Sequence, residues 1–257
     1  MATTRYGEIL ADLLALRACK GMDSRGRLLL EGVRMVLSAR RAGVALDALA
    51  YAPEHGGDAP AAQQLMAALE REGVPRARLS ARDFSRISYK ADGVIAVVRP
   101  AWPTLDEVLR RSGLVVALDA PSDPGNVGAV IRTANAWGAA GVVVLGDAEK
   151  ITHPKCLRAS TGALFHTPTC AATRDELLAR ALGRRLVVLV PDGDRAWRAD
   201  ERAIVVLGNE KRGVHPELVR AASERVAIPM TGVVDSLNVS NAAAVILWDA
   251  FRARSTP

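Results

Sequence analysis

Four short apolar runs constrain this chain most: Leu114–Leu118, Gly141–Leu145, Leu186–Val190 and Ile204–Leu207. They are rich in β-branched residues and nearly uninterrupted, which is how a strand reads when both faces of its sheet are covered. Helical periodicity lies between them, over Val127–Trp137 and Asp175–Leu182. That alternation predicts an α/β fold whose mostly parallel sheet carries helices on both faces. A last helix is expected over Val239–Arg254, with small residues at Ala242–Ala244 that allow close approach to its neighbours.

The preceding part is less regular. Helices are expected over Gly7–Ala18, Glu31–Ala42 and Ala61–Glu72, and strands over Leu28–Leu30, Leu46–Ala52 and Val94–Val98. Arg99-Pro100-Ala101-Trp102-Pro103 then reads as a linker, because its two prolines break both helix and ladder. A short helical stretch runs on to Arg111. The expectation is a smaller N-terminal α/β domain over residues 1–108 and a larger domain over residues 109–257.

Composition narrows the class. With 49% hydrophobic and 24% charged residues, the 257-residue chain can bury a core and is not of the disordered type. No apolar run approaches the ~20 residues that span a bilayer, and MATTRYGEIL lacks the pattern of a secretory signal. Cys19, Cys156 and Cys170 are too few for a disulfide framework. A soluble, cytoplasmic protein without membrane partners is expected. The net charge is +6, and 29 of the 34 basic residues are Arg. Arg is the better fork for phosphate, which suggests an anionic partner; a GC-rich coding bias explains the excess equally well.

Open α/β sheets bind ligands at the carboxyl ends of their strands, so the loops after the strands carry the functional signal. The first, DAPSDPGNVGAVIRTA over Asp119–Ala134, leads from a strand into a helix expected to begin near Val127, with Arg132 nearly two turns in. Helix starts attract anions, but an ordinary turn with a surface Arg reads the same way. The second, VLGNEKRGV over Val206–Val214, sets Gly208 where backbone can approach a ligand and Glu210 just beyond the strand end. The third, AIPMTGVVDSLNVSNAA over Ala227–Ala243, ends a strand at Ile228-Pro229-Met230 and heads the last helix with Ser236-Leu237-Asn238. Ser236 or Asn238 is suited to capping that helix, or to forming a polar pocket wall.

Several fingerprints are missing: GxGxxG, GxxxxGK[ST] and GxSxG. His153, Cys156, His166 and Cys170 have no standard zinc spacing, and no metal is expected.

Taken in order, the three segments resemble the SpoU-type RNA 2′-O-ribose methyltransferases of the knotted SPOUT superfamily. The motifs are NVGAVIRTA from Asn126, GNEKRG from Gly208 and IPMTGVVDSLNVSNAAA from Ile228. The N-terminal part, with RGRLLLEGVRMVLSA and ADGVIAVV, resembles the substrate-binding domain of ribosomal-RNA members. Asn241 departs from the family pattern, which usually has an apolar residue there.

The resemblance implies a deep C-terminal trefoil knot, a topology that general rules rate improbable. It implies S-adenosylmethionine held by Gly208, Ile228 and Leu237, with Leu207 and Met230 as neighbours. It implies catalytic roles for Arg132, Glu210, Ser236 and Asn238, RNA contacts at Asn126 and Arg132, and a homodimer. On this reading Arg132 clamps a phosphate, because a guanidinium stays protonated and is a poor base. Ser236 and Asn238 orient the ribose, and Glu210 holds Arg132 or Asn238. The implied substrate is RNA, most readily ribosomal RNA. The competing expectations are a transfer-RNA methyltransferase and a non-catalytic RNA-binding or ribosome-assembly protein. Arg25, Arg27, Arg34, Arg40 and Arg41 are candidates for an RNA-facing surface, or for an ordinary solvated face.

Overall fold

A computed structural model describes residues 2–88, 93–181, 183–197, 202–233 and 236–255. The chain divides into two compact units, one over residues 1–101 and one over 102–257, with residues 152–154 counted in the first.

In the first unit the elements run α1 (Ala2–Cys19), β1 (Leu28–Glu31), α2 (Val33–Arg41), β2 (Ala45–Tyr51), α3 (Pro60–Arg71), β3 (Arg76–Arg78), α4 (Ala81–Ile87) and β4 (Val94–Arg99). Among the described residues the strands form one four-stranded sheet in the order β1-β4-β2-β3. β4 lies antiparallel to β1 and β2, and β3 pairs parallel to β2. Ile9, Leu13 and Leu16 of α1 and Phe84 and Ile87 of α4 pack with Ala50, Ile95 and Val97 into one core. Glu31 is strand rather than helix, because its backbone pairs with Ile95. Neither β3 nor α4 was expected: Arg-Ala-Arg carries no apolar run, and α4 spans only seven residues.

In the second unit the order is α5 (Leu105–Arg110), β5 (Val115–Asp119), α6 (Pro124–Ala136), β6 (Gly141–Leu145), α7 (Glu149–Thr152), α8 (Pro154–Ser160), β7 (Thr169–Ala172), α9 (Arg174–Arg180), β8 (Arg185–Leu189), β9 (Arg195–Ala196), β10 (Ala203–Leu207), α10 (Pro216–Ala221), β11 (Glu224–Ala227) and α11 (Val239–Ser255). The strands form a seven-stranded sheet among the described residues, ordered β7-β6-β5-β10-β8-β11-β9, and every named pairing is parallel. β5, β6 and β10 are buried along their whole length, as their unbroken apolar runs require. Val115, Ala117, Val143 and Val206 face Leu105 and Val108 of α5, Leu177 of α9 and Leu218 of α10. Each fully buried Val or Leu contributes about 1.5–3 kcal/mol. On the opposite face α6 and α11 pack against each other and the sheet.

Two boundaries differ from expectation. α6 begins at Pro124, not near Val127: Asp123 caps it by accepting from the Gly125 N–H at 2.9 Å, and Pro124 suits the first helical position. β11 ends at Ala227, because Pro229 has no N–H to extend the ladder. Ile228 and Met230 therefore lie in the loop beyond the sheet.

Strand order places the ligand crevice. From β5 the chain moves outward through β6 to β7, returns to build β8, and then sets β10 between β8 and β5. Carboxyl ends of adjacent strands at such a reversal form the binding crevice of parallel α/β sheets.

Candidate active site

At that reversal a cavity of about 440 Å³ opens. Its walls are the ends of β8 (Leu189, Val190, Pro191) and β10 (Leu207 to Lys211), the loop from Ile228 to Asn238, and the first turn of α11. Val234 and Asp235 lie outside the described residues. Leu207, Gly208, Ile228, Met230 and Leu237 all line the cavity, as do Glu210, Ser236 and Asn238. Two segments far apart in sequence, Gly208–Glu210 and Ser236–Asn238, thus meet at one place.

The β10 end of the cradle is built from main chain. The Asn209 N–H donates to the Gly213 carbonyl at 3.0 Å, and the Gly213 N–H donates back to Asn209 at 2.9 Å. This bridge folds the turn so tightly that a Cβ on Gly208 would lie 2.3 Å from the Gly213 carbonyl carbon. Only glycine fits there. The Asn209 side chain donates to the Ala120 carbonyl at 2.7 Å and to Ser122 Oγ at 2.8 Å, and accepts from the N–H groups of Lys211 and Arg212. Nearby, the Asp119 carboxylate, almost fully buried, accepts from Arg174 Nε at 2.8 Å and from the His215 N–H at 2.7 Å.

A polar chain runs from this turn to α11. The Glu210 carboxylate accepts from the Ser122 N–H and from Asn126 Nδ2, both at 2.8 Å, and from the Asp123 N–H at 3.4 Å. Asn238 Nδ2 donates to Asn126 Oδ1 at 3.3 Å. Asn238 Oδ1 accepts from the Ser240 N–H and hydroxyl, so Asn238 is the residue that caps α11. Partial burial pushes the Glu210 carboxyl up, but hydrogen bonds from Asn126 and Ser122 outweigh it and hold the group down at about 2. A carboxylate so firmly ionised, with both oxygens occupied, is an anchor and a poor proton acceptor near neutrality.

Glu210 therefore holds Asn126, and through it Asn238. It shares no hydrogen bond or ion pair with Arg132 among the described residues. Arg132 is exposed on α6, outside the cavity wall, with no ion-pair partner among the described residues. Asn126, expected to face RNA, sits between the two loops. Ser236 lines the cavity with its hydroxyl free of hydrogen-bond partners among the described residues. In the first unit, Arg27 is buried against Asp12 and Asp23, and Arg40 pairs with Glu72, so neither is a free surface cation. Arg25, Arg34 and Arg41 are exposed. Burial pushes the thiols of Cys156 and Cys170 up to about 12, which makes both inert at neutral pH. Among the described residues no three His, Cys, Asp or Glu side chains gather as a metal site.

The cavity suits S-adenosylmethionine. Its volume lies within the usual ~300–1,000 Å³ range for cofactor pockets. Leu189, Leu207, Ile228 and Leu237 offer apolar walls, and the Gly208 crossing presents bare backbone at the cradle.

The sequence profile of the SpoU rRNA Methylase family matches residues 113–248. The chain belongs to this family. A relative, the 23S rRNA (adenosine(1067)-2′-O)-methyltransferase of Streptomyces laurentii, is 36% identical over 86% of this chain and 84% of its own length. The 23S rRNA (uridine(2479)-2′-O)-methyltransferase of Streptomyces viridochromogenes is 31% identical over 75% of this chain and 71% of its own length. Among solved structures, the SpoU methyltransferase AviRb of Streptomyces viridochromogenes, in complex with AdoMet, superposes with a TM-score of 0.82 at 28% identity, covering 94% of this chain and 97% of its own.

Sequence reasoning missed Leu189-Val190-Pro191 as a SpoU cavity wall and Asn209 as its staple. The first was recoverable, because β8 ends beside β10 in any sheet of this kind. Asn209 carried a weaker signal, lying between Gly208 and Glu210 at a strand end. Asn241, the departure from the family pattern, is exposed on α11 and disturbs no packing.

Proposed function

We propose that the chain methylates ribose 2′-hydroxyls in RNA from S-adenosylmethionine, with ribosomal RNA as substrate. One observation carries this reading: Gly208–Glu210, Ile228–Met230 and Ser236–Asn238 converge on a single cradle. The naming of the two 23S rRNA methyltransferase relatives agrees with it.

When bound, the cofactor supplies a methyl group already activated on a sulfonium. The protein's task is then alignment and charge stabilisation at the sugar oxygen. The Ser236 hydroxyl is available to the ribose. Asn238 is held by its own cap and by Asn126, and keeps a second amide N–H free for the substrate. Glu210 locks this arrangement. Arg132 meets the phosphate beside the target ribose, lowers the hydroxyl's pKa, and leaves the proton to that phosphate or to water.

Other features of this reading also have support. A substrate-binding domain over residues 1–108 and a methyltransferase domain over 109–257 agree with the presence of two compact units, whose division at residues 101–102 puts α5 in the second. A trefoil knot agrees with β10 lying between β5 and β8, and with backbone crossings so close that a Cβ on Gly193 would lie 2.3 Å from Val226. A homodimer agrees with the apolar face of α6 and α11. There Trp248 is 49% exposed, with ring centroids 6.0 Å from both Trp137 and Phe251. A cytoplasmic location goes with an rRNA substrate, and no helix among the described residues is long and apolar enough to cross a membrane.

The test is methyl transfer from labelled S-adenosylmethionine to total RNA, with mapping of alkali-resistant positions. Incorporation at a discrete 2′-O position in 23S rRNA is expected. Cofactor binding without any transfer to RNA overturns the reading.

A further inference from the structure

The turn after β10 carries two cations that the proposed chemistry does not use. Lys211 and Arg212 follow Glu210, are exposed, and have no ion-pair partner among the described residues. Several other cations of the second unit are neutralised. Arg174 pairs with Asp119, Arg185 with Glu224, Arg225 with Asp192, and Lys155 approaches Asp123 at 4.0 Å. Two adjacent exposed cations at the rim of a cavity, with no acidic partner among the described residues, suit an anion supplied from outside the chain.

The pair is also rigidly presented. Asn209 Oδ1 accepts from the Lys211 N–H at 2.9 Å and the Arg212 N–H at 3.1 Å, and the Asn209–Gly213 bridge closes the turn behind them. The two donors of the same amide pin the turn to the loop after β5 at Ala120 and Ser122. The backbone of both cations is therefore fixed before any ligand arrives, which cuts the ordering cost of binding. Lys211 itself lines the cavity mouth, together with Ser236 and Asn238.

We propose that Lys211 and Arg212 form a phosphodiester subsite that grips the RNA backbone next to the target ribose, with Asn209 as its positioning residue. This rests on the reading of the chain as an RNA 2′-O-methyltransferase and adds a binding site to it. Phosphate contacts fix register without reading sequence, so the subsite sets where the strand lies across Ser236 and Asn238.

The test is RNA binding and methylation by Lys211→Gln/Arg212→Gln, using deproteinised 23S rRNA across a salt series. Two single-strand phosphate contacts change the slope of log K against log salt by about 1.4, roughly a tenfold loss of RNA affinity near 0.15 M salt that vanishes near 1 M. Calorimetric affinity for S-adenosylmethionine is expected to stay unchanged in Arg212→Gln, since Arg212 is not among the cavity-lining residues, and Lys211→Arg/Arg212→Lys is expected to restore most RNA binding. Asn209→Ala is expected to raise the KM for RNA. A double variant that follows the wild-type salt line overturns the subsite. So does an Arg212→Gln variant that loses cofactor affinity, since that side chain would then serve the cofactor and not the RNA. Wild-type protein that transfers no methyl group to RNA overturns the parent reading instead, so the two failures are distinguishable.

Discussion

Gly208→Ala is the sharpest test of how the cradle is made. The added Cβ would sit 2.3 Å from the Gly213 carbonyl carbon, 2.4 Å from the Val214 nitrogen and 2.7 Å from the Gly213 oxygen, where ordinary contacts begin at 3.4 Å. All three are backbone atoms, so no rotamer change relieves the overlap. Neither strand can yield freely: Asn209 and Gly213 are bridged, and the His215 N–H is tied to the buried Asp119. The turn must open by about 1 Å, and overpacking of this kind costs about 1–3 kcal/mol. If the cost falls on the cradle, S-adenosylmethionine affinity drops by roughly 10- to 100-fold. If it falls on the fold, the melting temperature drops by roughly 2–4 °C per kcal/mol. Calorimetry with the cofactor and a thermal melt read the two arms. Gly7→Ala is the control: its site in α1 has open space around it, and alanine there should be neutral or mildly stabilising. Wild-type melting and wild-type cofactor affinity in Gly208→Ala would refute the backbone-built cradle.

Other perturbations separate the roles of the polar chain. Because Glu210 is held down at about 2, its contribution to stability is complete above the ordinary carboxylate range and fades as pH falls toward 2. Its exposure limits that contribution to about 1 kcal/mol or less. Glu210→Gln should flatten the acid loss of stability in urea titrations, lower turnover, and leave the shape of the pH–rate profile around neutrality unchanged; an ascending acid limb that disappears in the variant would make Glu210 the proton acceptor. Asn238→Asp keeps an equally good helix cap but turns an oxygen toward Asn126 Oδ1. The melting temperature should hold while methylation falls by about tenfold or more, and equal loss of both would reduce Asn238 to a cap. Trp248→Glu places a charge in the apolar face of α6 and α11, the interface of the proposed dimer; sedimentation should report dimers for the wild type and monomers for the variant, and an unchanged variant dimer would put the interface elsewhere.

The sequence made the centre of the second sheet legible because β5, β6, β8 and β10 are buried on both faces and so lack polar interruptions. It hid β7 and β9, and blurred the end of β11. Thr-Cys-Ala-Ala is mostly buried but holds only small side chains, β9 spans two residues, and Glu-Arg-Val-Ala buries only Val226, so none carries an apolar run. Site residues at strand ends were readable from Gly208, Ile228 and Asn238 because a ligand crevice belongs there. Their partners were not. Glu210 reaches Asn126 across 84 residues and Asn238 reaches it across 112, and no local pattern encodes such pairings. Hence Asn126 looked like a surface contact and Arg132 like Glu210's mate.

Those same long spans bear on how the molecule matures. Contacts joining residues this far apart cannot form until the intervening loops have closed, and such closure is slow. The ties of Ser122, Asn126 and Asn238 to the β10 turn therefore form late in refolding and open early in hydrogen exchange, while the Val-rich strand centres stay protected. A small molecule that fastens the turn to the helix cap after folding would act as a clasp, and exchange at the Lys211, Arg212 and Ser240 amides would slow as it saturates.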